Sequence, residues 1–138
     1  MTDIEKAKEL LKDDFTCVLV KGETVYTSKD KGIAPVLRHL NEGTDLEGFC
    51  VADKIVGKAA ASLFICAGIK EVYGEVMSVK GMAKLEEYDI PYTYGTQVDK
   101  IINRKGDDIC PMEKTVQDID DPKEAWKALD EKVRSLRG

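Results

Sequence analysis

The chain has 138 residues, of which 43% are hydrophobic and 34% are charged, a balance typical of one globular domain rather than of a disordered chain. Its formal net charge of −5 argues against general nucleic-acid binding, which depends on neutralising phosphates with cations. No apolar run approaches the roughly 18 residues of a membrane span, the N-terminus lacks a signal-peptide core, and the four cysteines show no close pairing. We therefore expect a cytoplasmic protein with reduced thiols and no membrane partner.

The hydrophobic pattern predicts helices and strands along the whole chain, as one domain over residues 1–138 with a C-terminal helical tail. The first half of the chain is predicted to form a helix at 4–11, hairpin strands at 16–20 and 24–28, a helix at 33–40, a strand at 49–52, and a helix that Asp53 caps and Gly68 ends. The second half is predicted to form a strand at 71–78, a helix at 79–88 and a strand at 92–98. A charged turn at 103–108 follows, and then two helices that begin near Cys110 and Asp121. In the last helix, the predicted inner face carries Ala125, Trp126, Leu129, Val133 and Leu136. A hairpin followed by strand–helix alternation indicates an α/β fold with a mixed sheet covered on both faces.

The stretch from Gly48 to Gly68 indicates where a ligand would bind. A short apolar strand runs straight into Asp53, which is a favoured N-cap residue, and three consecutive alanines would let the following helix lie close to the sheet. A helix that starts at the end of a strand directs free backbone N–H groups and a partial positive charge toward the sheet edge. Open α/β sheets bind their ligands at that edge, so we predict a binding site there.

Three short segments carry a resemblance to a known family. They are Gly32-Ile33-Ala34-Pro35, the run from Ala52-Asp53-Lys54 through Gly57-Lys58-Ala59-Ala60, and Cys110-Pro111-Met112-Glu113. With these segments the chain resembles the DUF1893 family of the cytidine deaminase-like superfamily. The resemblance implies a three-layer α/β/α sandwich around a five-stranded mixed sheet, and it brings no established function.

The residues that a zinc deaminase needs are missing from the corresponding helix starts. Such an enzyme requires a His or Cys beside a general-base Glu at one helix start and a Pro-Cys-x-x-Cys at the next. Here the two starts read Gly32-Ile33-Ala34-Pro35 and Asp53-Lys54-Ile55-Val56-Gly57, and His39 falls late in its helix. We therefore expect no zinc-dependent deamination, no metal site and no cofactor.

An anion-binding role is one interpretation of the residues around Gly57. Glycine in the first helical turn would let a ligand approach the backbone, and Lys58 adds a cation suited to a phosphate or carboxylate. The run is not a Walker A motif, because Ala52 and Ala59 replace its first glycine and its Ser/Thr. With Gly32 and Lys54, these residues predict the binding of a small anionic, possibly nucleotide-like ligand. The alternative remains that Asp53 is a plain N-cap and Lys58 a solvated side chain.

Cys110 is the second candidate for chemistry. It stands at an N-cap position before Pro111 and Glu113, where the helix end would shift a thiol toward the reactive thiolate. The negative charges of Asp107 and Asp108 disfavour the thiolate and so oppose that shift. The positive charges of Arg104 and Lys105 partly offset this effect. The alternative is an inert buried cysteine, which is also how we interpret Cys17, Cys50 and Cys66 on their apolar elements.

Three hypotheses about function follow. The first is a metal-free, cysteine-dependent enzyme in which Cys110 is the nucleophile, with Asp53 and Glu113 as acid–base groups and Lys58 holding an anion. The second is a binding module for the same class of ligand, which we favour while leaving catalysis open. The third is a structural or interaction protein that docks a partner through the tail around Trp126. Under any of the three the chain could form a homo-oligomer. The first two predict that the helix starts near Asp53 and Pro111 line one cleft.

Overall fold

A computed structural model describes residues 1–137 of the chain. Its elements are α1 Asp3–Leu11, β1 Cys17–Lys21, β2 Thr24–Ser28, α2 Ala34–Glu42, β3 Cys50–Val56, α3 Lys58–Ala67, β4 Glu71–Ser78, α4 Val79–Glu87, β5 Tyr92–Val98, α5 Pro111–Val116 and α6 Pro122–Arg137. Within residues 1–137, no helix has both the length and the apolar character needed to span a bilayer. The order of helices and strands is the one that the hydrophobic pattern predicts.

The five strands form one mixed sheet in the order β2-β1-β3-β4-β5. Strand β1 pairs antiparallel with both β2 and β3, whereas β3–β4 and β4–β5 are parallel pairs. Each parallel pair is joined by a crossover helix, α3 or α4. The mixed α/β sheet predicted from the sequence is confirmed.

Helices cover both faces of this sheet, which gives three layers. On one face α1 buries Ala7 and Leu11 against Val18, Val20 and Ala52. On the other face the remaining helices share a larger core with strand residues such as Leu19, Val51 and Val72. Helices α3, α4 and α6 contribute four of its large, completely buried side chains, Leu63, Phe64, Leu85 and Leu129, and the rest of the chain adds Leu19, Leu46 and Met77.

Helix α3 lies at the centre of the larger core, as its small residues predict. Ala59, Ala60 and Ala61 are all buried, and α3 ends at Gly68, whose φ of 74° is the left-handed conformation that glycine adopts without strain. Helix α6 packs on α3 through Ala125 and Leu129. The predicted inner face of α6 is wrong at Leu136, which is 63% exposed.

Strand β3 is longer than the sequence predicts, and this overturns the role assigned to Asp53. The strand continues to Val56, and Asp53 lies inside it, opposite Cys17 on β1 and Gly74 on β4. Two neighbouring strands supply hydrogen-bonding partners, so the chain stays extended through the charged pair Asp53-Lys54 that ends the apolar run. Asp53 is therefore not an N-cap. The N-cap of α3 is Gly57.

Candidate functional site

A cavity of about 1010 Å³ opens at the carboxyl end of β3. It is bounded by the N-terminal ends of three helices: Gly32 to Ala34 before and at the start of α2, Gly57 at α3, and Cys110 to Glu113 at α5. The loop between β5 and α5 and the last turns of α6 complete its wall. The carboxyl ends of strands are where open α/β sheets bind ligands, so the cavity lies in the region that the sequence predicts.

Much of the cavity wall is apolar and exposed. Its apolar side chains come from five separate segments and are Ile33, Ile55, Ile101, Ile102, Met112, Val133 and Leu136. Ile55, Ile102 and Leu136 are 50%, 49% and 63% exposed. These three residues are far apart in the sequence, and the fold brings them to one opening. Large apolar side chains that converge on one opening while exposed to solvent are a feature of ligand-binding clefts.

Cationic side chains line the same cavity. They are Lys31, Lys54, Arg104 and Lys105. Lys54 is paired with Glu75 at 3.1 Å. The other three are exposed and make no ion pair with any side chain in residues 1–137. They are therefore available to an anionic ligand.

A small loop holds Arg104 and Lys105 at the opening. Residues Ile102 and Ile109 form a bridge between the two arms of this loop, and the Asn103 side chain accepts hydrogen bonds from the backbone of its tip. The two acids of the loop are engaged within the protein, since Asp107 accepts from Asn103 Nδ2 at 2.9 Å and Asp108 pairs with Lys114. Their negative charge is thus partly offset beside the two free cations.

Glu113 caps helix α3 across the cavity, which changes its predicted role. Its Oε1 accepts from the Lys58 N–H at 2.9 Å and its Oε2 from the Ala59 N–H at 2.8 Å. A Cβ at Gly57 would lie within 2.6 Å of the Glu113 Cδ, so the glycine makes room for this carboxylate and not for a ligand. The anion expected at the start of α3 is a side chain of the protein itself, and both of its oxygens are occupied.

Lys58 does not line the cavity. Its Nζ donates to the Gln117 carbonyl at 3.3 Å and lies 3.5 Å from Asp120 Oδ1, and the side chain is only 12% exposed. It joins α3 to the segment that follows α5, so the structure does not support its predicted contact with an anionic ligand.

Cys110 and Gly57 lie on the same cavity, as predicted for the two helix starts. The Cys110 N–H donates to the Ile101 carbonyl at 2.9 Å, its thiol makes no capping hydrogen bond, and the side chain is half-buried. Gly32, with a φ of 60°, turns the loop that precedes α2 and also lines the cavity. By contrast, Cys17 and Cys50 are buried, and burial raises the pKa of the half-buried Cys66 thiol to about 11.

Asp53 lies on the cavity wall as a buried carboxyl, only 6% exposed. Burial raises its pKa from 3.8 to about 7, and the N–H groups of Ile55 and Lys54 and the Cys17 thiol offset this only in part. Burial and the neighbouring carboxyl in turn raise the pKa of Cys17, so its thiol stays protonated and can donate to Asp53. The cavity therefore holds a group that changes its charge near neutral pH.

Metal-ligand geometry is absent from the described part of the chain. Residues 1–137 contain no group of three His, Cys, Asp or Glu side chains placed to hold a metal ion. His39 lies away from the cavity, half-buried against Tyr26, with Nδ1 3.3 Å from Thr44 Oγ1. Its place late in α2 is as predicted.

Two comparisons connect the chain to known proteins. The family model of DUF1893, described as a domain of unknown function, matches residues 5–133. Among solved structures, a DUF1893 family protein (TM1506) from Thermotoga maritima is 29% identical, with a TM-score of 0.86 over 96% of this chain and 91% of that one. A comparison with curated proteins finds no match.

Proposed function

Since this chain belongs to the DUF1893 family, a domain of unknown function, we propose its function from its own cavity: it binds a small anionic, nucleotide-like molecule. The observation that carries the proposal is the meeting of two features at one opening. Exposed apolar side chains and exposed cations without ion-pair partners in residues 1–137 line the same 1010 Å³ cavity. A ligand with an apolar ring system and an acidic group satisfies both features at once.

The cationic rim selects for negative charge. Arg104 and Lys105 are adjacent in the loop, and Lys31 reaches the same cavity from the segment before α2. A guanidinium group binds phosphate or carboxylate oxygens with two parallel hydrogen bonds, and a lysine adds a point charge beside it. Because Glu113 already occupies the start of α3, an anion in this cavity would be held by these side chains rather than by that helix.

The size and lining of the cavity favour an organic ligand over a bare ion. Pockets for small organic ligands measure about 300–1,000 Å³ and are lined mainly by apolar groups with a few polar ones. Ile55, Ile102 and Met112 offer flat apolar contact for a ring. The fold supports the same class of ligand: we assign the chain to the cytidine deaminase-like superfamily, from its helix, hairpin and alternating elements, as a member without that superfamily's zinc-binding residues.

A thermal-shift screen of nucleotides, sugar phosphates and the corresponding uncharged nucleosides tests the proposal. Ligand binding to the native state alone raises the melting temperature, and we expect nucleotides to do so more than nucleosides. The double variant Arg104→Ala/Lys105→Ala should weaken binding at least about ten- to a hundredfold, because it removes two cations and the loss of one charge-assisted hydrogen bond alone has that effect.

The matched control is Lys123→Ala/Lys127→Ala, which removes the same charge from exposed positions of α6 that do not line the cavity. It should bind nucleotides as the unmodified protein does. If both double variants lose affinity equally, the effect is one of net charge and the rim assignment is wrong. If no compound in the screen stabilises the protein, the binding proposal is wrong, and the hypothesis of a structural or interaction protein is favoured instead.

A cysteine-dependent reaction on the same ligand is the second candidate, favoured by the place of Cys110 on the cavity wall. Alkylation with iodoacetamide followed by peptide mass spectrometry compares the four thiols directly. A reactive Cys110 that a bound nucleotide protects would support this candidate. A Cys110 that reacts no faster than the half-buried Cys66 would leave binding as the function.

A further inference from the structure

The Asp53 carboxyl has acceptor capacity that the protein does not use. An ionised carboxylate offers about four acceptor positions. Here the protein supplies three nearby donors: the Ile55 N–H, which donates to Oδ1 at 3.4 Å, the Lys54 N–H, which also donates to the Thr16 carbonyl at 3.0 Å, and the Cys17 thiol, which is a weak donor. A buried carboxyl with so few donors destabilises a fold. Asp53 lies within the sheet and on the cavity wall, where donors from a ligand would complete its hydrogen bonding.

The charges around the cavity restrict what those donors can be. Lys31, Arg104 and Lys105 line the same space without an ion-pair partner in residues 1–137. The other acids of the lining are engaged within the protein, Asp107 by Asn103, Asp108 by Lys114 and Glu113 by the start of α3. A ligand whose donor is itself a cation, such as a guanidinium or an ammonium, would therefore be repelled by the unpaired cations. A neutral ring with two adjacent N–H groups avoids this repulsion. Such a pair also matches the two parallel oxygens of a carboxylate, and the ring would pack between Ile55 and Met112 on the apolar wall.

We propose that Asp53 recognises the pair of adjacent N–H donors that a guanine-type heterocycle presents, in a nucleotide whose phosphate lies at Arg104 and Lys105. The inference rests on the proposed function, because it assumes that the cavity binds a nucleotide-like anion. It adds the class of base, and it gives Asp53 a role in specificity in place of the N-cap role predicted from the sequence.

Four nucleoside monophosphates test this on the unmodified protein. Guanosine monophosphate offers both N–H donors, inosine monophosphate lacks the exocyclic amine, and adenosine monophosphate has an acceptor where guanine has its ring N–H. We expect the guanine compound to bind about ten- to a hundredfold more tightly than the adenine compound, with inosine between them, by isothermal titration calorimetry.

The variant Asp53→Asn gives a reversal that a purely structural role would not produce. An amide offers one acceptor and one donor group, which complement the ring N–H and the neighbouring carbonyl of xanthosine monophosphate. The variant should therefore prefer the xanthine compound over the guanine compound. Asp13→Asn is the matched control, because it makes the same change on an exposed acid that does not line the cavity, and it should keep the preference for guanine.

Each outcome decides a different point. Equal affinities of the unmodified protein for the guanine, inosine and adenine compounds would overturn the inference while leaving nucleotide binding intact. Absence of binding by all nucleotides would contradict the proposed function and the inference together. If Asp53→Asn does not fold, the ranking on the unmodified protein still decides the matter.

Discussion

The replacement Asp53→Asn should make the protein more stable above neutral pH. Asp53 has an ordinary pKa of 3.8, which burial raises to about 7 in the folded protein. Between those two values the folded state holds a proton that the unfolded state has lost, so stability falls as the pH rises through this window. Three pKa units correspond to about 4 kcal/mol, all of it lost above the folded pKa. Asparagine has a similar shape and never ionises.

Urea unfolding of both proteins at about pH 5 and about pH 8 measures the effect. Across this interval the unmodified protein should lose roughly 2.5 kcal/mol relative to Asp53→Asn, because most of the window from 3.8 to about 7 lies between the two conditions. Comparing the two proteins at each pH cancels the titration of every other group. Asp13→Asn, which makes the same change on an exposed acid away from the cavity, is the control for the substitution itself. A stability difference between Asp53→Asn and the unmodified protein that is the same at both pH values would refute the assignment of Asp53 as a desolvated carboxyl.

The remaining predictions concern the start of α3. Gly57→Ala should destabilise the protein by roughly 1–3 kcal/mol in urea unfolding, because its Cβ would displace the Glu113 carboxylate; an unchanged midpoint would contradict the tight packing there. Glu113→Ala should cost about 1–2 kcal/mol through loss of the cap, while Glu113→Gln, which keeps one acceptor, should lose less; equal losses would show that the side chain acts by packing. Lys58→Ala should leave nucleotide affinity unchanged, since its Nζ contacts Gln117 and Asp120; a tenfold loss by calorimetry would return Lys58 to the site.

Local signals made most of the fold predictable. These signals lie within a few residues of the element that they affect. They are the small residues on α3, the left-handed Gly68 that ends it, and Pro35 and Pro111 in the first turns of their helices. The strand at Glu71–Ser78 has the bounds that the pattern predicts. These elements depend on propensity and periodicity, which act over a few residues.

The roles of Asp53 and Glu113 could not be predicted, because they depend on contacts between distant segments. The pairing of Asp53 with Cys17 and Gly74 keeps it in a strand, against the preference of aspartate for helix starts. Glu113 caps a helix that begins 55 residues earlier in the chain. No sequence pattern in the neighbourhood of Gly57 shows that its missing Cβ accommodates a side chain rather than a ligand.

The location of the candidate site was predictable, whereas its charged groups were only partly so. Gly32, Lys54, Gly57 and Cys110 all line the cavity, because strand ends and helix starts meet at one sheet edge. Two of the three exposed cations that have no ion-pair partner in residues 1–137, Arg104 and Lys105, come instead from the loop after β5. A signal for that loop existed in the sequence, namely Arg104 and Lys105 in a turn-like segment between apolar pairs, but its position over the cavity follows from the tertiary fold alone.

The cationic rim is tested most directly by calorimetric titration of guanosine monophosphate into three proteins: the unmodified chain, Arg104→Ala/Lys105→Ala, and Lys123→Ala/Lys127→Ala. We expect binding at one site per chain in the first and third proteins, and an affinity at least about ten- to a hundredfold lower in the second. Absence of binding to the unmodified chain would contradict the guanine assignment, and equal affinity for all three proteins would contradict the claim that Arg104 and Lys105 hold the anionic group of the ligand.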